Sequence, residues 1–267
     1  MMAILAATAT LFGRDLETCF AQIEALIATA EADLLVLPEC ALGGYLHEDG
    51  GLSDLPPTLD PDGPEIARLA EIAGDTIVCA GFTETGMYSS AVCVHRGRVL
   101  GHQRKVHLPP TERFAFTAGD GFAAFDTPLG RVGMLICYDK LFPEAARALA
   151  LDGAEIIATM SAWPDDRADP ASDRQARHFD VIDQARAIEN QVTWVAANLV
   201  GRWGSLSFFG GAKVVDADGV IVAACDDGIA RGAVDPRSVG AMRAHIDHLG
   251  DRRPETYGTG AALQATG

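Results

Sequence analysis

The amino-acid sequence predicts an α/β fold, a four-layer α-β-β-α sandwich with pseudo-twofold related halves. Segments with the features of strands alternate with helical segments, and the order of segments in the first half recurs in the second. Of the 267 residues, 48% are hydrophobic, so one large domain can bury a sizeable core. We expect a single domain over residues 1–267, with an extended C-terminal arm from about residue 238.

The first half opens with an alanine-rich strand over residues 3–10. Asp15 is a favourable N-cap, and apolar residues at helical spacing follow it, so a helix is predicted up to about Ala32. The run Leu34 to Pro38 is apolar on both faces, as in a strand covered on both sides, and it ends directly before Glu39. The other predicted segments of this half are a helix over 64–74, a strand over 76–81 and a hairpin over 92–101 around a glycine turn.

The second half repeats this order. Its predicted segments are a strand over 132–136, a helix over 143–152, a strand over 154–158, a helix over 173–190, a strand over 193–197 and a hairpin over 213–223. The tail from about Ser238 is polar and charged, and we interpret it as the arm, which could embrace a neighbouring subunit.

The composition argues against several classes of protein. With 37 acidic and 21 basic residues the formal net charge is −16, which repels nucleic acid and leaves no basic stripe. No apolar stretch is long enough to span a bilayer, and residues 1–12 show neither a basic flank nor a cleavage signature. The six cysteines form no CxxC pair and mostly lie within apolar runs, as reduced thiols do in a cytoplasmic protein. We therefore expect no nucleic-acid or membrane partner and no disulfide framework.

Cys137 has the sequence context of a nucleophile. It follows a buried apolar run and precedes a helix that opens with Pro143, so its side chain is predicted at the rim of a sheet. Backbone N–H groups there, such as that of Tyr138, can hold an oxyanion. Glu39 and Lys105 also follow predicted strands, and strand ends in α/β folds collect functional side chains. We expect the three side chains to meet.

These three residue types can together cleave a bond at an electrophilic carbon. The thiolate of Cys137 attacks the carbon, and the carboxylate of Glu39 accepts the thiol proton and returns it to the leaving amine. The ammonium of Lys105 stabilises the tetrahedral oxyanion. Because a free thiol has a pKa of about 8.5 and a nearby cation lowers it, Lys105 is also expected to lower the pKa of Cys137 toward neutrality.

Short sequence blocks surround these residues. They are Leu35-Val-Leu-Pro-Glu39, Arg104-Lys-Val-His-Leu-Pro109, and Leu135-Ile-Cys-Tyr-Asp139 with Phe142-Pro-Glu144, together with Ala187-Ile-Glu-Asn190 and Arg252-Arg-Pro254 further along. In this order they resemble the signature segments of the nitrilase superfamily of carbon-nitrogen hydrolases. The resemblance covers almost the whole chain, and three blocks together are far more specific than any one of them.

The resemblance implies that Glu39, Lys105 and Cys137 are the catalytic residues. It also implies that the carbon–nitrogen bond of an amide, carbamoyl group or nitrile is broken through a thioester or thioimidate. Glu112 matches the place of a second glutamate that assists in many members of the superfamily. The four-layer sandwich, and pairing into a homodimer or higher homo-oligomer through the sheet edge or the tail, are implied as well.

The same residues also have structural interpretations. A cysteine after an apolar run is usually a core residue, and we interpret Cys40 in this way because no lysine block accompanies it. A lone glutamate such as Glu39 could cap a helix, and a lone lysine is most often on the surface. Glu112 could form a salt bridge with its neighbour Arg113 instead of taking part in catalysis.

A metal or other cofactor is not expected. His245 and His248 are spaced as a helical pair, but only Asp247 lies beside them, and a divalent site needs three or four convergent ligands. The glycine pairs at 43–44 and 210–211 are too short and wrongly placed to cradle phosphate.

The residues after Cys137 bear on the reaction type. Nitrile-cleaving members of the superfamily tend to carry Trp-Glu there, whereas Tyr138-Asp139 resembles the amidases and carbamoylases. The pocket is predicted to carry no charge of its own and to be walled by Tyr45, Phe114, Tyr138, Trp163 and Phe208.

The polar segment from Asp165 to Asp173 is the candidate for specificity. Its Arg167, together with Arg174 and Arg177, could meet a substrate carboxylate, and the alternative is a solvated loop. Lys213 stands where a small hydroxyl residue is common in the superfamily, so this departure weakens any specificity borrowed from relatives.

Three hypotheses of function follow. The first is a cytoplasmic amidase or N-carbamoyl hydrolase that acts on a small molecule. The second is a nitrilase that makes an acid directly from a nitrile. The third is a non-catalytic binding member of the superfamily.

Overall fold

The protein is described by a computed structural model that covers residues 2–46, 55–165, 174–235 and 237–257. The helices are α1 (Leu16–Ala30), α2 (Pro64–Ala73), α3 (Pro143–Leu151), α4 (Arg174–Asn190) and α5 (Ser238–His245). The strands are β1 (Ala3–Ala9), β2 (Leu34–Val36), β3 (Ile77–Glu84), β4 (Tyr88–His95), β5 (Arg98–Arg104), β6 (Phe125–Thr127), β7 (Gly130–Ile136), β8 (Ile156–Ser161), β9 (Thr193–Asn198), β10 (Val200–Trp203), β11 (Leu206–Phe209), β12 (Ala212–Val215), β13 (Ile221–Cys225) and β14 (Gly228–Val234). No helix among the described residues is long and apolar enough to cross a membrane.

The two halves of the chain build the same arrangement of strands. The strands of the first half lie in the order β1-β2-β3-β4-β5, with β14 from the end of the second half added beside β1, and the other strands of the second half lie in the order β6-β7-β8-β9-β12-β13. In the first set β1, β2 and β3 are parallel, in the second set β7, β8 and β9 are parallel, and the remaining neighbours are antiparallel. The repeat predicted from the sequence is therefore confirmed at the level of sheet topology.

The two sets of strands are joined, which the sequence does not predict. Ala9 at the end of β1 pairs with Asn198 at the end of β9, and Thr10 N donates to Asn198 O at 3.3 Å. The described strands other than β10 and β11 thus form one 12-stranded sheet, in which this pairing of β1 with β9 joins the two sets of strands. A contact between single residues far apart in the chain leaves no periodic signal in the sequence.

Three of the four clusters of buried apolar side chains in the described part of the chain correspond to layers of packing. The central cluster contains residues of β1 to β4 and of β7, β8, β9, β12 and β14, and no residue of a helix labelled above. A second cluster packs α1 and α2 against the first set of strands, and a third packs α3 and α4 against the second set. This membership fits the order helix, sheet, sheet, helix. It follows from strands such as β2 and β8, which are buried on both faces.

The helices begin and end close to the predicted positions. Asp15 caps α1 by accepting a hydrogen bond from Thr18 N at 2.8 Å, and Pro64 stands at the first position of α2. The structure also contains elements that the sequence analysis misses, namely β6, β14, the hairpin of β10 and β11, and α5. β14 reads Gly-Ile-Ala-Arg-Gly-Ala-Val, so its small residues and glycines conceal the strand pattern.

The first part of the predicted arm packs on its own chain. In α5 the side chain of Val239 is buried, and Arg243 Nη2 donates to the backbone oxygens of Ala154, Asn190 and Gln191 at 3.1–3.2 Å. An association of the remaining tail with a second subunit stays a prediction.

Candidate active site

The ends of three strands bring the predicted catalytic residues to one place. Glu39 follows β2, Lys105 follows β5 and Cys137 follows β7. Lys105 Nζ donates to Glu39 Oε1 at 2.8 Å and to Glu112 Oε2 at 2.7 Å. The side chains of the lysine and of both glutamates are at most 1% exposed. One ammonium is thus held between two carboxylates, out of contact with bulk water.

The carboxylate of Glu39 is fixed by further donors. Ser89 Oγ donates to Oε1 at 3.1 Å, and the backbone N–H of Ala162 donates to Oε2 at 3.1 Å. Ala162 follows β8 directly, so a fourth strand end contributes to the site. The Ala162 N–H also lowers the pKa of the Cys137 thiol, so the sulfur lies near the backbone group that binds Oε2.

Cys137 adopts a strained backbone conformation. Its φ is 47°, in the left-handed region, at the turn from β7 into a 3-10 helix over Cys137–Leu141. The turn is secured by Asp139, whose carboxylate accepts from Ile136 N at 3.3 Å and from His107 N at 2.8 Å. The loop after Lys105 is therefore tied to the turn that presents the thiol.

The pKa of the Cys137 thiol is raised above its ordinary value, contrary to the sequence-based expectation. Burial is the largest cause, and the negative charge of Glu39 adds to it. Lys105 opposes the shift, but Glu112 supports it, so the two carboxylates outweigh the single cation. The thiol is consequently protonated in the resting protein and needs a base at the moment of attack.

Glu112 bonds to Lys105 and Tyr45, and not to Arg113, which is the predicted structural alternative. Besides Lys105 it accepts a hydrogen bond from Tyr45 Oη at 2.7 Å, and burial raises the pKa of its carboxyl. Arg113 donates to Leu108 O at 3.0 Å instead of pairing with Glu112. Glu112 thus belongs to the buried charge cluster, and Tyr45 connects that cluster to the cavity.

Cys137 opens into a cavity of about 510 Å³. Its lining residues among those described are Tyr45, Leu46, Pro109, Thr111, Glu112, Cys137, Tyr138, Leu141, Ala162, Trp163, Pro164, Asp165, Gln175 and Leu206. A cavity of this size and mostly apolar lining suits a small organic molecule. Glu112 and Asp165 are acidic, so the sequence-based prediction that the pocket carries no charge of its own is wrong.

Some of the predicted pocket residues line the cavity and others do not. Tyr45, Tyr138 and Trp163 line the cavity, whereas Phe114 is 64% exposed and Arg174 lies exposed at the start of α4, and neither is a lining residue. Phe208 is buried behind Tyr45, with ring centroids 5.9 Å apart. Arg167 and most of the segment from Asp165 to Asp173 lie outside the described residues.

The sequence analysis misses Gln175 and Leu206 as lining residues. Gln175 lies one residue after Arg174 on α4, and Leu206 belongs to the unpredicted strand β11. Among the described residues there is no group of three or more His, Cys, Asp or Glu side chains that could hold a metal ion.

A second buried charge cluster includes Lys140, which belongs to the same short helix as Cys137. Lys140 Nζ donates to Asp183 Oδ1 at 2.8 Å, and Lys213 Nζ lies 3.3 Å from Asp183 Oδ2. Trp194 Nε1 also donates to Asp183 Oδ1, at 2.9 Å. The ammonium of Lys140 lies 3.0 Å from the ring centroid of Phe179. Lys213 therefore joins Lys140 at one carboxylate.

The cluster connects α4 to the short helix that carries the thiol. Burial is the main cause that lowers the pKa of Lys140, to about 8, because Asp183 only partly offsets the loss of water. Arg186, one turn further along α4, donates to Lys140 O at 3.0 Å and to Leu141 O at 3.1 Å. The far end of the Cys137–Leu141 helix is thus fixed by both a buried ion pair and two hydrogen bonds.

We expect Asp183→Asn to lower the free energy of unfolding by about 3–5 kcal/mol, because two buried ammonium groups lose their shared carboxylate. Urea denaturation of the parent and the variant measures the change. Asp180→Asn is the matched control, since its side chain also pairs with Lys213 but is 48% exposed; its loss should stay at about 1 kcal/mol or less. Equal losses in both variants would contradict a special role of the buried carboxylate.

Comparisons with known proteins agree with this geometry. A family model described as carbon-nitrogen hydrolase matches residues 5–244. A probable nitrilase from Schizosaccharomyces pombe is 32% identical over 247 residues, covering 88% of this chain and 87% of that protein. The N-carbamoylputrescine amidase of Arabidopsis thaliana is 30% identical over 269 residues, covering 91% and 90%. The crystal structure of a carbon-nitrogen hydrolase from Helicobacter pylori G27 has a TM-score of 0.84 and 27% identity, covering 96% and 97%.

Proposed function

Because the chain belongs to the carbon-nitrogen hydrolase family, we propose that it hydrolyses a small carboxamide or N-carbamoyl compound through a thioester on Cys137 and releases ammonia. One observation carries the proposal. Lys105 Nζ is held between Glu39 and Glu112 at 2.8 and 2.7 Å, beside a cavity that Cys137 lines. A base, a cation and a nucleophile in one water-poor site are the groups that acyl transfer requires.

In the first half of the reaction the thiol adds to the amide carbonyl. Glu39 takes the proton of Cys137 as the sulfur–carbon bond forms, and the carbonyl π electrons move to oxygen. The oxyanion is stabilised by Lys105 Nζ and by the backbone N–H of Tyr138. When the intermediate collapses, the carbon–nitrogen bond breaks, Glu39 returns the proton to the leaving nitrogen, and ammonia leaves a thioester behind.

In the second half of the reaction a water molecule hydrolyses the thioester. Glu39 takes a proton from the water as its oxygen attacks the thioester carbon, and the same donors hold the second oxyanion. The carbon–sulfur bond then breaks, the sulfur recovers the proton, and the carboxylic acid is released. Glu112 holds Lys105 in place throughout, because its other oxygen is anchored by Tyr45.

Nitrile hydrolysis is the second candidate function, since one of the relatives compared above is named a probable nitrilase. Tyr138-Asp139 after the nucleophile favours the amidase. Asp139 is used structurally here, because it accepts hydrogen bonds from Ile136 N and His107 N.

The test offers the protein hexanamide, pentylurea and hexanenitrile, which share an unbranched apolar chain. We expect ammonia release with the highest kcat/KM on the amide or the urea, and an acyl adduct on Cys137 in the intact-protein mass spectrum. A higher kcat/KM on the nitrile would promote the nitrilase. An absence of turnover and of adducts over a wider panel of amides and ureas would favour the non-catalytic binding protein.

We further propose that the protein works in the cytoplasm as a homodimer or higher homo-oligomer, with a small molecule as its substrate and without nucleic-acid or membrane partners. The net charge of −16 supports the absence of a nucleic-acid partner, and the six free cysteines support a reducing compartment. Analytical ultracentrifugation tests the oligomeric state.

A further inference from the structure

The described residues that line the cavity in front of Cys137 carry charge of one sign. Among the described residues that line it, Glu112 and Asp165 are the charged ones apart from the thiol, and both are acidic. Glu112 is already bonded to Lys105 and Tyr45. Asp165 therefore supplies the acidic group that is open to a ligand.

Asp165 is held in place through its backbone. Its N–H donates to Ser207 O at 2.8 Å, and the preceding Pro164 bridges to Phe208 on β11. Its half-buried side chain has no hydrogen-bond or ion-pair partner among the described residues. A carboxylate at the border of an apolar cavity is stabilised by a cation, since a charge-assisted hydrogen bond is stronger there than in water.

Three cations near the cavity, among the residues that the structure describes, are bonded to other groups. Lys105 is held by its two glutamates, and Lys140 Nζ donates to Asp183. Arg14 donates to the backbone oxygens of Gly43 and Tyr45, at 3.0 and 2.9 Å. Within the described lining there is no cation for a substrate carboxylate, and such a group would meet Asp165 instead. Of the three arginines expected to meet a carboxylate, Arg174 and Arg177 are not lining residues, and Arg167 lies outside the described residues.

We propose that Asp165 makes the enzyme selective for amides whose acyl chain ends in a protonated amine. The ammonium binds to the carboxylate of Asp165 while the amide carbon lies against the sulfur of Cys137. The inference rests on the proposed function and names the substrate class for the same cavity.

Three amides of matched length test the inference. They are 5-aminopentanamide, which ends in an ammonium, hexanamide, which ends in a methyl group, and adipamic acid, which ends in a carboxylate. We expect kcat/KM to be about tenfold higher for the ammonium than for the methyl compound, and lowest for the carboxylate. The same measurement on homologues of each amide, one and two methylenes shorter or longer, determines which chain length reaches Asp165.

Two variants test whether Asp165 causes the preference for the ammonium compound. Asp165→Asn keeps the size of the side chain and removes its charge, so the ratio of kcat/KM between the ammonium and methyl compounds should fall to about one. Asp62→Asn removes the same charge from an exposed site outside the cavity, and should leave the ratio as in the parent. This control separates binding at Asp165 from the general attraction of a cation to an acidic protein.

Binding to the Cys137→Ala variant separates failure of the inference from failure of the proposed function. Calorimetry should give a Kd about tenfold lower for 5-aminopentanamide than for hexanamide, and the difference should vanish once Asp165→Asn is added. Equal kcat/KM or equal Kd for the two compounds at every chain length overturns the inference, even if hexanamide is hydrolysed. If Cys137→Ala binds the ammonium compound more tightly but the parent protein releases no ammonia from any of the amides, the Asp165 site is supported and the proposed hydrolysis is overturned.

Discussion

Replacement of Cys137 by alanine is expected to lower kcat for the best amide substrate by about 10⁴–10⁶-fold, which is the usual size of the effect when an enzyme loses its nucleophile. No other described residue that lines the cavity is a cysteine. Ammonia release with purified protein measures the loss, and intact-protein mass spectrometry should show that the acyl adduct disappears. Circular dichroism and thermal unfolding should match the parent, because alanine fits the space of the thiol.

Cys40 provides the matched control. It also follows a strand end, has a positive φ of 60° and is 1% exposed, but it is not a lining residue of the cavity. Cys40→Ala should therefore retain turnover and the adduct. If the two variants lost activity equally, Cys137 would be one more buried core thiol and the proposed mechanism would fail.

The sequence predicts the parts of this fold that depend on local patterns. The Asp15 cap, the helix from Pro64 and the doubly apolar runs at β2 and β8 each follow from neighbouring residues, and the structure contains all of them. The repeat of these segments predicts the common strand order of the halves. The pairing of Ala9 with Asn198 depends on how the two halves approach each other, and no local pattern encodes that approach.

The same division holds for the site. That Glu39, Lys105 and Cys137 lie at strand ends is visible in the sequence, and the structure brings them to a common place. The direction of the thiol pKa is not visible, because it depends on burial and on two carboxylates beside one lysine. Phe114 lies outside the cavity and Asp165 lines it, since side-chain direction in a loop follows from contacts such as Asp165 N to Ser207 O.

The raised thiol pKa makes Glu39 the central group of the proposed mechanism. A thiol that is already ionised needs no base, whereas Cys137 is kept protonated by burial and by the negative charge of Glu39 itself. In the proposed mechanism the same carboxylate then receives the proton, since Glu39 lies close enough to Cys137 for its charge to act on the thiol. Lys105 is bonded to Oε1 of Glu39 and is therefore close enough to stabilise the oxyanion as the proton is transferred.

Glu39→Gln is accordingly expected to lower kcat/KM for amides by about 10³–10⁴-fold, because the variant keeps the shape of the side chain but cannot carry a proton between sulfur and nitrogen. The loss should be smaller with p-nitrophenyl hexanoate, whose phenolate leaves without a proton. Glu112→Gln is the control, because it leaves the base in place and should cost about 10–100-fold on both substrates. Equal losses for amide and ester in Glu39→Gln would show that Glu39 acts only by positioning Lys105.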